Sequence, residues 1–421
     1  MLSTDENILK NGSEVRSRMF EYGKLVEEMH IIIKARNPKS EIRNFGNVFL
    51  YPTNNKFNFL YFFSAYKITS KIIRNWKLLA RRSLGEVGEI RNCVITCQDP
   101  FETGLVGYFL KKKFSAQGGS LPDGGRGASG GKISLHIQIH TDFLSPYFWR
   151  ESLKNKIRVL VAKKIIPSAD GIRVVSERIK KSIITQLPNY QISKISILPI
   201  FVDIEKIKNA PIKTDLRKKY PGRFIILMAS RLTREKNIGL AIESAKNLIP
   251  NYPNILLLIV GSGPKESKLK AESYKLHDNV VFEPWTDDLA SYYKTADLFL
   301  LTSNYEGYGM TVVEATAAGL PVLMTDVGVA TPTLSGREVG APTPDVGVGS
   351  AVPVGDSKEL ARCLDILVGD PLERENVLEN QMKILDNMPS REKYLNLIKQ
   401  SWSRCLSIED PRFLSKSGEN T

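Results

Sequence analysis

Phe224-Ile-Ile-Leu-Met-Ala229, Ile255-Leu-Leu-Leu-Ile-Val260 and Ser303-Asn-Tyr-Glu306-Gly307-Tyr-Gly309-Met-Thr-Val-Val-Glu314 lie within one stretch of the chain, residues 223–328. The first two are unbroken apolar runs. One passes directly into Ser230-Arg231 and the other into Gly261-Ser-Gly263. Runs of this length and ending suit strands buried on both faces, as in a parallel sheet. Between them Ile238, Ala241, Ile242, Ala245 and Leu248 recur at helical spacing. Strand, helix, strand, helix in this order predicts a doubly wound sheet, which binds its ligand at the carboxyl ends of its strands.

The polar residues fall at those ends. Arg231 and Lys236 follow the first strand. Both are donors without acceptor capacity and suit phosphate oxygens. Glu306 and Glu314 flank the turn Gly307-Tyr-Gly309, which should lead into a helix starting near Met310. The free N–H groups and positive dipole end of such a helix suit a diphosphate. Glu314 then falls about one helical turn further in, within reach of sugar hydroxyls. Two cations, a phosphate-binding helix end and two carboxylates point to a sugar nucleotide. Gly261-Ser-Gly263 lacks the third glycine of a dinucleotide fingerprint, since position 266 is Glu, and it lacks the Lys-Ser/Thr of a P-loop. The NAD and ATP-hydrolysis readings are therefore weak.

Glu306-x7-Glu314, with Ser230-Arg231…Lys236 upstream, resembles the retaining glycosyltransferases of family 4, which have the GT-B fold. That resemblance implies an α/β protein of two Rossmann-like, doubly wound domains facing each other across a cleft. It implies that Arg231 and Lys236 neutralise the diphosphate leaving group, and that Glu306 contacts the transferred sugar. Gly307, Tyr308, Gly309, Met310 and Thr311 would offer backbone N–H groups to the sugar and phosphates, and Glu314 would bind the ribose. His140 matches a family histidine that contacts the sugar from the first domain, against a purely structural role. Gly12 and Asp99 fall where the family's acceptor side lies. Gly12 reads equally as an ordinary turn glycine, and Asp99-Pro100 as a helix start. No metal or other cofactor is expected beyond the nucleotide-sugar co-substrate, because the two cations take the metal's place. The base is not readable, although the family stacks or hydrogen-bonds it near Trp285-Thr-Asp287.

The chain of 421 residues is long enough for two or three domains. The four cysteines have no zinc or redox spacing, and reduced thiols are expected. No apolar run approaches a membrane-spanning length, and no secretory signal opens the chain, which makes a cytoplasmic location the expectation. A net charge of +14 favours anionic partners: sugar nucleotides, polyprenyl phosphates or an anionic lipid surface. No nucleic-acid module is evident, so nucleic acid ranks last.

Residues 1–205 are expected to form the first, acceptor-binding domain. Met1 to Asp5 reads as the last residues of a strand, so either translation begins upstream or the domain starts with a stub. A helix capped by Ser13 or Asn11 should follow, with Val15, Met19, Tyr22, Leu25 and Val26 on its apolar face. Residues 66–82 read as a basic amphipathic helix, with Lys67, Lys71, Arg74 and Arg81 opposite Ile68, Ile72, Trp76 and Leu79. It either lies on the inner face of an anionic membrane or covers the sheet with its basic side in solvent. Ser115 to Gly131, with seven glycines, reads as a flexible insertion near the cleft. His136 and His140 sit on one predicted strand. Four residues span roughly 13 Å there, too far for a shared metal ion. Ser176 should cap the next helix. Residues 206–388 are expected to hold the nucleotide sugar, 389–410 to cross back to the first domain, and 411–421 to be disordered.

The acceptor expected from the resemblance is a glycan or polyprenyl-linked hydroxyl, in cell-surface polysaccharide or glycolipid synthesis. The rivals are a nucleotide-sugar epimerase or phosphorylase of the same fold, and a non-catalytic sugar-nucleotide-binding protein.

Overall fold

The computed structural model describes residues 1–36, 41–55, 57, 60–82, 92–116, 133–330, 350–385 and 388–406, with the backbone alone at 76–82, 116, 350 and 384. Most of the glycine-rich insertion, residues 331–349, the tail 411–421, and the side chains of Trp76, Leu79 and Arg81 lie outside the described residues.

The first part of the chain carries β1 (Leu2–Ser3), α1 (Glu14–Gly23), β2 (Met29–Ile33), β3 (Arg43–Phe45), β4 (Val48–Pro52) and α2 (Leu60–Arg82). Next come β5 (Cys93–Cys97), α3 (Glu102–Ala116), β6 (Ile133–Ile139), α4 (Pro146–Glu151), α5 (Leu153–Ile165), β7 (Gly171–Val174), α6 (Glu177–Gln186) and β8 (Ile195–Ile197). These strands form one sheet in the order β3-β4-β2-β1-β5-β6-β7-β8. It is parallel except for β3, which pairs antiparallel with β4. The two-residue β1 sits inside the sheet, with Leu2 opposite both Ile32 and Cys97.

Side-chain alternation along β2 divides the core. Ile32 faces the layer of α2, α3, α5 and α6, while Ile31 and Ile33 face Met19 and Tyr22 of α1. That second layer is completed by Tyr394, Ile398 and Trp402 from the last helix. Three local expectations are corrected. α1 ends at Gly23, not Val26, where the absent side chain makes room for Val48; a Cβ there would lie 2.3 Å from its Cγ2. α2 begins at Leu60, and its buried stripe is Tyr61, Ala65, Thr69 and Ile73, with Ile68 and Ile72 half-buried beside it. The edge strand β3 was not expected at all.

The second sheet follows α7 (Ile204–Lys208) and α8 (Leu216–Lys219). It is built from β9 (Phe224–Ala229), β10 (Ile255–Val260), β11 (Val280–Glu283), β12 (Leu298–Leu301), β13 (Val322–Thr325) and β14 (Ser350–Val352). The order is β11-β10-β9-β12-β13-β14, all parallel. Its helices are α9 (Ile238–Leu248), α10 (Glu266–Glu272), α11 (Leu289–Thr295), α12 (Met310–Ala317), α13 (Ser357–Gly369) and α14 (Pro371–Leu385). Ile226 and Met228 pack toward α9 and α13, and Ile225 and Leu227 toward α11 and α12. β9 and β10 are buried on both faces, as their unbroken apolar runs require. The core on the α11 and α12 side is continuous with the α2–α6 side of the first sheet. α15 (Arg391–Ser403) lies against the first sheet, where Tyr394 hydroxyl meets Tyr22 hydroxyl at 3.2 Å.

Candidate active site

The loops after β9 and β12 are fastened to each other. Asn304 N–H donates to the Glu235 carbonyl (2.7 Å), and the Thr302 hydroxyl donates to the Lys236 and Asn237 carbonyls (3.0 and 3.1 Å). Asn237 takes a left-handed conformation, φ 45°, as it leads into α9. This fastening brings Lys236 to Glu306. The Lys236 ammonium donates to Glu306 Oε1, which also accepts the Ser303 hydroxyl at 2.7 Å. Both side chains of the ion pair are only 15% exposed. The pairing is strengthened by its shelter from solvent. Ser303 stood in the decisive stretch without an assigned role; its place one turn before Glu306 was the available signal.

The glycines of Gly261-Ser-Gly263 have a packing role. A Cβ on Gly261 would lie 1.9 Å from the Ser230 carbonyl oxygen, and one on Gly263 2.6 Å from that of Leu232. They let the loops after β9 and β10 run side by side, with Leu232 N–H bonded to the Ser262 carbonyl (2.9 Å).

Gly307 joins the two halves. A Cβ on it would lie 1.8 Å from the His140 carbonyl oxygen, so the end of β6 rests directly on the turn after Glu306. Tyr305 reinforces the contact, donating its hydroxyl to Glu151 of α4 (2.5 Å) and meeting the Phe148 ring edge-on at 5.4 Å. Arg178 of α6 pairs with Asp326, and the Tyr147 hydroxyl donates to the Val354 carbonyl (3.2 Å). Gly309 has φ 98°, a conformation that favours glycine. It precedes Met310 with no side chain capping the helix, so the first N–H groups of α12, around Met310 and Thr311, have no side-chain acceptor at the cap. The Tyr308 ring is buried, and its carbonyl accepts Val329 N–H (3.0 Å). Glu314, one turn into α12, accepts the Tyr293 hydroxyl at 3.1 Å, and burial raises its pKa.

His140 is held from within its own sheet. Its Nε2 lies 3.3 Å from Gln138 Oε1, the same oxygen that accepts Arg173 Nη1 at 3.1 Å. Arg173 can only donate, so that atom is the amide oxygen, and His140 Nε2 carries the proton. Nδ1 is left with a lone pair. Burial first, then the Arg173 charge, lowers the His140 pKa to about 3. Arg173 is itself buried and donates further to the Leu198 and Pro199 carbonyls and to the Tyr394 hydroxyl. His136 is fully buried against the Thr96 hydroxyl (2.9 Å).

Not every expected residue joins this cluster. Arg231 is exposed and pairs with Glu235 at 3.2 Å, not with Glu306. Asp99 spends its carboxylate on the turn into α3, accepting Phe101 N–H (2.8 Å), Thr103 N–H (3.1 Å) and the Thr103 hydroxyl (2.9 Å). Gly12 lies in an exposed turn at φ 74°, with open space where a Cβ would stand. Among the described residues no group of three His, Cys, Asp or Glu side chains is placed to hold a metal ion. No described helix is long and apolar enough to cross a membrane.

The family profile described as glycosyl transferases group 1 matches residues 212–384. An uncharacterized glycosyltransferase of Methanocaldococcus jannaschii is 31% identical over 183 residues, 42% of this chain and 45% of that protein. The Escherichia coli UDP-Gal:alpha-D-GlcNAc-diphosphoundecaprenol alpha-1,3-galactosyltransferase is 33% identical over 143 residues, 32% of this chain and 37% of that protein. The matched stretches thus span less than half the length of either relative. Among solved structures, Anabaena HepE in complex with UDP superposes with a TM-score of 0.62 at 16% identity, covering 95% of this chain and 96% of that one. Residues 212–384, which hold the second sheet and the Glu306–Glu314 turn, match glycosyl transferases group 1, and the chain has the GT-B fold.

Proposed function

We propose that the chain is a retaining glycosyltransferase of family 4. It would move a sugar from a nucleotide-sugar donor to a hydroxyl of a glycan or polyprenyl-linked acceptor without a metal ion. The observation that carries this reading is the sheltered Lys236–Glu306 pair, set at the carboxyl ends of β9 and β12 beside the uncapped start of α12. A diphosphate at that helix end meets backbone N–H groups, the positive end of the helix and the Lys236 ammonium. Arg231, exposed and paired with Glu235 on its own loop, can swing onto the outer phosphate. Glu306 and the His140 side chain then bracket the sugar from opposite domains.

In the reaction the acceptor oxygen forms a bond to the anomeric carbon as the bond from that carbon to the phosphate oxygen breaks. The acceptor proton passes to the departing phosphate oxygen, on the same face of the sugar. The chain's contribution is orientation and charge stabilisation. Glu314, its pKa raised by burial and its carboxylate bonded to the Tyr293 hydroxyl, offers a carboxyl group to the ribose. The complex of HepE with UDP makes UDP the first nucleotide to try, and the diphosphoundecaprenol in the E. coli relative's name supports a polyprenyl-linked acceptor.

The test is calorimetric titration with UDP, GDP and ADP and their common sugars in EDTA. Micromolar binding of one nucleotide, lost in Lys236→Ala, is the expected result. No binding of any of them, with or without added magnesium, would overturn the reading.

A further inference from the structure

The net charge of +14 is not spread over the molecule. Helices α2, α3 and α5 stand side by side on one face of the first sheet, α3 touching both of the others. They carry six, three and five Lys or Arg respectively, and a single acid, Glu102. Thirteen of the fourteen net charges therefore belong to three adjoining helices, and the rest of the chain is nearly neutral. The basic character assigned from sequence to residues 66–82 extends to α3 and α5, where Lys111 pairs with Asp170 and Arg158 with Glu102; the side chains of Lys77, Arg81 and Arg82 lie outside the described residues.

The same face is apolar where it should not be. Leu153, Ile157 and Leu160 follow one another on a single side of α5 and are 75%, 54% and 60% exposed. The inward stripe of that helix is a different set, Val159, Ala162 and Ile165, all buried. α5 is thus apolar on two sides, with Lys156 exposed between them and Lys164 exposed at the end of the outer stripe. Phe63 of α2 and Phe109 of α3 are also exposed, and both rings touch Phe62, at 5.4 and 5.7 Å. Scattered surface apolar residues are ordinary, but a group spanning three helices and interleaved with cations marks a docking surface.

We infer that the α2–α3–α5 face docks on an anionic lipid bilayer. Lysines at the headgroup level and Leu, Ile and Phe below it match the chemistry of that interface. A nucleic acid would use the cations but leaves exposed Leu153, Ile157 and Leu160 without purpose. The face also ends at the site. Leu153 lies two residues from Glu151, whose carboxylate accepts the hydroxyl of Tyr305, the neighbour of Glu306. An acceptor anchored in the bilayer would reach the cleft without leaving the surface. The docking itself does not depend on the catalytic reading.

The experiment is co-sedimentation of the full chain with vesicles of phosphatidylcholine alone and of equimolar phosphatidylcholine and phosphatidylglycerol, at physiological salt. Binding to the anionic vesicles only is expected. Leu153→Ser, Ile157→Ser and Leu160→Ser combined should weaken partition by about tenfold or more, with an unchanged thermal midpoint because all three side chains are exposed. Lys156→Gln and Lys164→Gln should each weaken it about fivefold. Failure to bind anionic vesicles overturns the proposal. So does binding that the apolar triple variant leaves intact, since that would mark general polyanion affinity, which heparin competition would then reproduce. Sugar transfer is not measured, so neither outcome bears on the catalytic assignment.

Discussion

At the ends of β9 and β12 the polar groups are charged and bonded to one another, whereas at the end of β6 they are neutral and held in place by a buried cation. Lys236, Glu306 and Ser303 form a compact knot that a ligand must enter and partly replace. His140 is set by a chain running through Gln138 and Arg173 to Tyr394 of α15, and burial keeps it uncharged. The two sides therefore suit different tasks. In the proposed reaction one side stabilises the charge that develops, and the other presents a fixed, neutral hydrogen-bonding group. The first should be sensitive to loss of a charge, the second to loss of a position.

The largest effect should come from Lys236→Ala. It removes a sheltered ammonium and, among the described residues, leaves Glu306 with the Ser303 hydroxyl. Sugar transfer should fall about 10²- to 10³-fold, the worth of a preorganised charge at the leaving group. Steady-state rates against donor concentration check this, and turnover within tenfold of the parent would remove Lys236 from the site. Glu306→Ala should fall in the same range.

Gly307→Ala tests the seam between the two sides. The added Cβ lies 1.8 Å from the His140 carbonyl oxygen, so the β6 end and the Glu306 turn must separate. Donor affinity, which the proposed function assigns to Lys236 and the start of α12, should change little, because the backbone N–H at position 307 is kept. Turnover should drop about a hundredfold, as expected for misplacement of about an ångström. Equal loss of affinity and turnover would show that the glycine serves the donor alone.

Arg173→Met tests the fixed side. Gln138 Oε1 loses its second donor and the Leu198 and Pro199 carbonyls lose theirs, at about 1–3 kcal/mol of stability. Turnover should fall roughly tenfold, the equivalent of one such hydrogen bond. The pH profile separates this from a general loss of structure. With the neighbouring charge gone, the His140 pKa rises, and the acid limb of the rate profile moves to higher pH. An unmoved limb would show that His140 is not set through Arg173.

Acid stability gives a smaller effect with a definite sign. The pKa of His136 and of His140 is lowered from 6.5 to about 3, chiefly by burial. Each then contributes stability that is present above pH 6.5 and lost as pH falls toward 3. Asp142, raised by burial to about 6, acts oppositely: its contribution is full below pH 3.8 and lost as pH rises through 6. Asp99 and Glu314, also raised by burial, act as Asp142 does. His136→Leu should raise the urea midpoint at pH 4 relative to that at pH 6.5, and an unchanged ratio would mean that His136 is not neutral when folded.

The comparison also explains what the sequence could carry. The β9–α12 region was legible because its cues are local: apolar runs buried on both faces, a glycine turn, and charges at the strand ends that a parallel sheet brings together. The adjacency of Lys236 and Glu306 follows once β9 and β12 are neighbours. On the other side the cues are distant. Arg173 fixes the His140 tautomer from the next strand, more than thirty residues later, and no spacing announces it. The need for glycine at position 307 comes from the other domain. β3 escaped notice because Arg43-Asn-Phe45 has neither an apolar run nor a clear alternation. The buried stripe of α2 was misplaced by one position because Thr69 and Ser70 are buried where apolar residues were expected; the Thr69 hydroxyl donates to the Ala65 carbonyl (2.7 Å).

Asp99 gives the smallest effect and the sharpest check on the acceptor side. Its resemblance-based role is contact with the acceptor, yet both carboxylate oxygens are engaged in the turn into α3. Burial raises its pKa, with Glu102 adding to the rise, while the Thr103 and Phe101 donors oppose it. A carboxylate bonded in this way acts as a helix-start cap. Asp99→Ala should cost about 1 kcal/mol of stability and leave turnover within about twofold at a temperature where both proteins are folded. Thr103→Val removes a donor to the same carboxylate, and its stability loss should be less than additive with that of Asp99→Ala because the two share one network. If Asp99→Ala instead raised KM for the acceptor by tenfold with an unchanged melting midpoint, the carboxylate would have to leave its turn on acceptor binding, and the fixed side of the cleft would be less fixed than its hydrogen bonds indicate.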